Sequence, residues 1–234
     1  VIVFGSYEFY PLSDASLGSM AQIQSQLLDH VDIQAENVYT FPLDLPRETV
    51  FSFCEEYEKT IAQVGGIDIQ VLGIGQCGNI AMNEPGTQSN SYTRLVIMDN
   101  NSRMDVKSLF GNAEQVPNCA ITLGINTILQ AKEVILMAFG QHKAGIVKQA
   151  IEDVASATCP ASYLQLHKKA SFVLDLDAAN KLTRINHPWK VTNCEWTDQL
   201  VRRAVVRLCE QTQKPLLKLT TKDYTDLGLS EPIP

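Results

Sequence analysis

The sequence predicts an α/β protein: a three-layer α/β/α arrangement around a mainly parallel, doubly wound sheet. Three observations predict it. Strand-like apolar runs alternate with helix-period segments along the chain, the order that a parallel sheet with helices on both faces requires. Several of those runs are nearly continuous in apolar residues, as in strands covered on both sides. The run Val71–Gly86 begins as an apolar strand and breaks into a polar, glycine-rich loop, and open α/β sheets build their sites at such strand ends.

The elements follow in order. Residues 1–5 read as a strand. Leu17, Met20, Ile23 and Leu27 or Leu28 give helical spacing over 17–28, which Asp29-His30-Val31-Asp32 breaks. Residues 47–63 read as a helix entered after Pro46, with Val50, Phe51, Cys54, Tyr57 and Ile61 on one face and Gly65-Gly66 as its stop. Ile67–Ile74 reads as a strand covered on both faces. A long polar segment from Gln76 to about Asn118 carries one short strand signal, Arg94–Ile97. Cys119–Leu123 and Val134–Phe139 are the next buried strands, with a short helix over 125–131 between them. Gly140 opens a helix over 141–154, and 171–176 is a further strand. A helix over 197–211 presents Leu200, Val201, Ala204, Val205 and Leu208 inward, and Ser230–Pro234 reads as a linker. Residues 1–185 are read as one α/β domain and 186–234 as a C-terminal helix and tail. The chain opens inside a strand-like run, Val1-Ile2-Val3-Phe4, from which residues preceding it in the natural protein are expected.

A chain of 234 residues can bury a full core. Its net charge of −7 and lack of a basic cluster argue against nucleic acid or an anionic membrane surface as partner. No stretch approaches the length of a membrane span, and no basic-then-apolar leader is present. The six cysteines form no Cys-x-x-Cys pair and no zinc-like spacing, so a cytoplasmic chain with reduced, mostly buried thiols and no metal is expected. Cys77 stands apart because it lies in the glycine loop.

Several pieces in sequence carry a family resemblance: Asp29–Ile33 with Ala35-Glu36-Asn37, Gly73–Gly86, Val116-Pro117 with Ala120–Gly124, Ala131–Val134, and Leu164–His167. Together they resemble the glucosamine-6-phosphate deaminases (glucosamine-6-phosphate isomerases) from about Val1 to Asp177. The resemblance implies a Rossmann-like fold, amino-sugar metabolism and a phosphorylated amino sugar as ligand. It implies ring opening, proton transfer between C2 and C1, and loss of ammonia to give fructose 6-phosphate, without an organic cofactor or metal. It also leaves a homo-oligomer open. The tail, with His187-Pro188-Trp189 and Cys194–Asp198, is similar to longer bacterial versions in which a deacetylase-like domain follows.

Carried over residue by residue, the resemblance puts Tyr7 where the family has its carboxylate base. Cys77 and Asn79 stand where it has an Asp and the ring-opening His, and Glu84 retains the family's Glu. Lys143 falls on a phosphate-contacting Lys, Ser108 on a phosphate-contacting Arg, and Arg94 on an Arg. Gly75 and Gly78 form the loop frame on the substrate side, and the family's glycine-rich phosphate loop lies upstream of Val1.

A phenol titrates near pH 10 where Asp titrates near 3.9, so Tyr7 is protonated at neutral pH. An amide such as Asn79 can hydrogen-bond a ring oxygen but cannot ferry a proton. Removing one positioned acid or base typically costs about 10²–10⁴ in rate. The sequence therefore reads as a deaminase/isomerase-like protein whose activity is weak or lost. The alternatives are a non-catalytic sugar-phosphate-binding or interaction module, and a lactonase-type hydrolase on the same frame.

Overall fold

A computed structural model describes residues 1–226, 228 and 229; the expected linker Ser230–Pro234 lies outside the described residues. The chain divides into two compact units, Val1–Ala178 and Ala179–Pro234.

The first unit begins with β1 (Val3–Phe4), β2 (Tyr7–Tyr10), α1 (Ser19–Gln26), β3 (Val38–Tyr39), α2 (Val50–Gln63) and β4 (Ile69–Gly73). It continues through β5 (Arg94–Ile97), α3 (Asn100–Phe110), β6 (Cys119–Thr122), α4 (Ile125–Leu129), β7 (Glu133–Ala138), α5 (Ala144–Glu152) and β8 (Ala170–Leu174). A short α6 (Leu176–Ala179) lies at the division between the units. Strands β1 and β3 pair in parallel, as do β4, β7 and β8 in the order β4-β7-β8. A third group, β2-β6-β5, is antiparallel, with Tyr7 and Arg94 both opposite Thr122.

Helix α2 buries Val50, Cys54, Tyr57 and Ile61, a stripe at i, i+4, i+7 and i+11. Phe51 was expected on that face but is exposed, because it sits about 100° around the helix from Val50. The Tyr57 hydroxyl donates to the carbonyl of Gly5 at 3.0 Å, tying α2 to the end of β1. The helix stops where Gly65 and Gly66 take positive φ, and the Gly66 N–H returns to the Ile61 carbonyl at 2.8 Å.

Three features differ from expectation. β4 is not covered on both sides: Leu72 and Gln70 point inward, while Ile69 and Val71 are about half exposed. The register puts Val71 beside Ile135 and Met137 beside Val173, so one face of this parallel sheet is apolar and open among the described residues. Second, the segment taken as polar connection contains α3. Its Asp99 cap accepts from the Asn101 N–H at 2.6 Å, and Gly111, at φ 83°, ends it. It buries only Ser102 and Phe110, too narrow a stripe for periodicity to register. Third, a strand runs through Tyr7–Tyr10, where none was expected. It has Glu8 as a buried inward residue and so breaks the apolar pattern.

Only Cys54 and Cys159 are buried; Cys77, Cys119, Cys194 and Cys209 are half-buried, and all six are free. No described helix is long and apolar enough to cross a membrane.

The second unit contains α7 (Thr183–Asn186), α8 (Asp198–Thr212) and α9 (Thr221–Asp226), and it has a small core of its own. Ala204, Leu208 and Leu229 form it, packed by Trp189, Trp196, Leu219 and Tyr224. The Thr197 hydroxyl caps α8 by accepting from the Leu200 N–H at 3.3 Å. Of the five residues expected on the inner face of α8, Ala204 and Leu208 are buried, while Val201 is exposed.

Candidate active site

Beyond the end of β1, at the carboxyl end of β4 and against the face of α3, lies a pocket of about 370 Å³. Ser6 and Tyr7 form one wall and Ser19 and Ile23 of α1 another. Val71–Gly75 line it as well, and Asn79, Ser102, Asp105 and Lys143 are among the other lining residues. Asp105 and Lys143 are the only charged residues among those lining it.

The glycine loop is closed by its own backbone. The Gly75 N–H donates to the Asn79 carbonyl at 2.9 Å, and the Gly78 N–H to the Gly75 carbonyl at 3.0 Å. Gly78 needs its glycine: φ is 81°, and a Cβ there would lie 2.5 Å from Cys159 Sγ. At Gly75 the restriction is contact. A Cβ would lie 1.9 Å from Asn79 Oδ1, so the bare Cα leaves room for the Asn79 side chain. Asn79 is buried; its Nδ2 donates to Ser102 Oγ at 3.3 Å, and its Oδ1 has no protein partner among the described residues.

Ser102 passes that bond on, its hydroxyl donating to Glu84 Oε2 at 2.9 Å. Glu84 Oε1 accepts from the Asp99 N–H at 3.3 Å. Glu84 does not itself line the pocket; it reaches it through Ser102 and Asn79. Burial pushes its carboxyl above the usual range. The bonds from Ser102 and Asp99 pull it back in part, and the charges of Asp99 and Asp105 add to the rise.

Tyr7 opens β2 and faces the pocket. Burial raises its phenol pKa above 10; a bond to Ser19 offsets part of that, and the Glu8 charge adds to it. Glu8, the neighbouring carboxylate, is held elsewhere. It is buried and accepts from the N–H groups of Phe9 at 3.0 Å, Ser19 at 2.8 Å and Met20 at 3.0 Å. It therefore caps the first turn of α1 and cannot stand in for a base at Tyr7. Lys143 lies in the turn before α5, and its Nζ donates to the Ile74 carbonyl at 2.8 Å. This fixes the ammonium at the mouth of the glycine loop, with two of its three N–H groups unbonded among the described residues.

The pocket thus brings together Tyr7, Gly75, Asn79 and Lys143, with Glu84 one hydrogen bond behind. It does not include Cys77, Gly78 or Ser108. The Cys77 thiol is raised by burial first and by the Asp99 charge next, the opposite of an activated nucleophile. Ser108 is exposed on α3 and does not line the pocket. Arg94 bonds the Tyr92 carbonyl and the Thr87 hydroxyl outside the pocket. His167 is structural: one ring nitrogen lies 2.7 Å from the Ala131 carbonyl, and the other accepts from the Lys169 N–H. Sequence reasoning missed Ser102 and Asp105. Their i, i+3 spacing puts both on one face of α3, and the signal for that helix was the Asp99 cap followed by Asn-Asn-Ser. No group of three or more His, Cys, Asp and Glu that could hold a metal occurs among the described residues.

Fold and pocket define the class: an α/β protein with a concave pocket beyond the carboxyl ends of β1 and β4, where such sheets commonly build their sites. The model of the family described as glucosamine-6-phosphate isomerases/6-phosphogluconolactonase matches residues 5–173, and the chain belongs to that family. It is 50% identical over 232 residues to a glucosamine-6-phosphate deaminase-like protein of Bacteroides thetaiotaomicron, covering 99% of this chain and 35% of the relative. It is 44% identical over 160 residues to the glucosamine-6-phosphate deaminase of Shewanella loihica, covering 68% and 59%. The chain therefore spans about a third of the first relative and under two thirds of the second. Among solved structures it is similar to a monomeric glucosamine-6-phosphate deaminase, with TM-score 0.74, 30% identity and coverage of 77% and 74%. A 6-phosphogluconolactonase of Trypanosoma brucei, at 23% identity, TM-score 0.60 and coverage of 76% and 73%, shares the fold.

Proposed function

We propose that the chain is a deaminase-type sugar-phosphate module that binds a phosphorylated amino sugar and turns it over weakly or not at all. The observation that carries this is the pairing of a retained cation, Lys143, with Tyr7 and Asn79 in one pocket. Lys143 supplies the anion contact. Tyr7 keeps its proton at neutral pH, and Asn79 has none to exchange. The volume of about 370 Å³ lies within the range of small-molecule sites, roughly 300–1,000 Å³.

In the reaction typical of the family, a base removes the C2 proton and a second group carries a proton to the ring oxygen. Here the Asn79–Ser102–Glu84 chain can orient a sugar hydroxyl. Glu84 does not line the pocket and bonds the Ser102 hydroxyl, which does, so it reaches a bound sugar through Ser102 rather than by taking a carbon-bound proton directly. Binding without efficient turnover is the reading that these groups support. The description of the solved relative as monomeric supports action as a single chain over a homo-oligomer. A cytoplasmic location and a following deacetylase-like domain belong to the same proposal. The experiment is a thermal-shift titration with glucosamine 6-phosphate alongside an ammonia-release assay. Ligand at 100 times its Kd adds about 2.7 kcal/mol of stability; no shift at millimolar ligand removes the binding claim.

A further inference from the structure

We infer that Asp105 is the residue that selects an amino sugar, by receiving the ligand's ammonium group while Lys143 holds its phosphate. This rests on the sugar-phosphate reading above and extends it to a residue that the family resemblance does not mark.

The pocket's polarity carries the inference. Among its lining residues two are charged, and they are of opposite sign. The remainder are hydroxyls, one amide, glycines and apolar groups, which suit a sugar ring but do not distinguish one sugar from another. A ligand bearing only a phosphate would satisfy Lys143 and meet an unmatched carboxylate. A neutral sugar would match neither charge. A ligand with an anion at one end and an ammonium at the other matches both.

Asp105 is placed for this role by α3. It lies one turn from Ser102, whose hydroxyl bonds both Asn79 and Glu84, so the carboxylate stands beside the amide chain that faces the sugar. Its one protein bond among the described residues is a long one, from the Gln76 N–H to Oδ2 at 3.3 Å, which leaves acceptor capacity on both oxygens. No lysine or arginine forms an ion pair with it among the described residues. Its charge reaches into the site, where it helps to raise Glu84 and Cys77. A bound ammonium would neutralise that field.

The test compares glucosamine 6-phosphate with glucose 6-phosphate, which has a hydroxyl where the other has the ammonium. Calorimetric titration of the purified protein is expected to show about tenfold tighter binding of the amino sugar, the scale of one charge-assisted hydrogen bond. Asp105→Asn keeps the side-chain shape and the Gln76 contact. It is expected to reduce that preference to about twofold or less, with the loss falling on the amino sugar. Equal affinity of the unaltered protein for the two sugars, or a preference that survives Asp105→Asn, overturns the inference and leaves the sugar-phosphate reading standing. Binding of neither sugar overturns both. A melting temperature for Asp105→Asn within a degree of the unaltered protein checks that the fold is intact.

Discussion

Gly75→Ala is the sharpest packing test of the site. The new methyl would lie 1.9 Å from Asn79 Oδ1, 2.5 Å from its Cγ and 2.7 Å from its Nδ2. Gly75 does not have positive φ, so alanine avoids the left-handed strain, and the three atoms nearest the new methyl all belong to Asn79. Asn79 is buried and cannot swing aside freely. Overpacking of this kind costs about 1–3 kcal/mol, and displacing Asn79 from Ser102 forfeits a hydrogen bond worth about 1 kcal/mol. The sum, about 2–4 kcal/mol, corresponds to roughly 4–16 °C in Tm for a chain of this size. Asn79→Ala removes the colliding atoms, so Gly75→Ala in that background should cost less than about 0.5 kcal/mol, a coupling of roughly 1.5–4 kcal/mol. Denaturant unfolding of the four proteins measures the cycle. An equal cost of Gly75→Ala in both backgrounds would refute the account of this loop.

Glu84 gives a pH prediction. Its folded pKa lies above the unfolded value, so the native state binds its proton more tightly. Its contribution to stability is full below about pH 4.5 and is lost as pH rises through the folded pKa. Glu84→Gln should therefore raise Tm at pH 7 relative to its effect at pH 4; a difference of the opposite sign, read by scanning calorimetry at both pH values, contradicts the burial account. Cys77 should alkylate more slowly than a free thiol at pH 7.5, since burial and the Asp99 charge raise its pKa; mass spectrometry after iodoacetamide reads this, and rapid selective labelling would contradict the raised pKa. Glu8→Ala leaves the N–H groups of Phe9, Ser19 and Met20 without their acceptor and should cost at least about 2 kcal/mol, whereas Glu8→Gln should recover part of it. Equal stability of the two variants in urea would sink the capping role.

The parts of the fold that the sequence reveals are those whose burial is periodic and wide. Helix α2, with four buried residues on one stripe, and the strands β6 and β7 are legible for that reason. Helix α3 is not, because two buried positions in eleven residues leave no hydrophobic signal and its start depends on the Asp99 cap. That omission also hid Asp105 and Ser102. Tyr7, Asn79 and Lys143 were reachable because residue type and order along the chain carry them. Asp105 depended on which face of a polar helix turns toward a pocket. The exposure of Ile69 and Val71 was hidden for a different reason. A run of apolar residues has the same appearance whether one face of the strand is covered or both.

The central claim is that this pocket keeps the contacts that hold a sugar phosphate and has lost the groups that move its protons. Ammonia release from glucosamine 6-phosphate by the purified protein, at ligand concentrations where calorimetry shows the site filled, tests it most directly. The account predicts saturable binding with turnover at least about 10²-fold below ordinary enzyme rates of roughly 1–10³ s⁻¹. Turnover within that range, with Tyr7 and Asn79 unaltered, would contradict it.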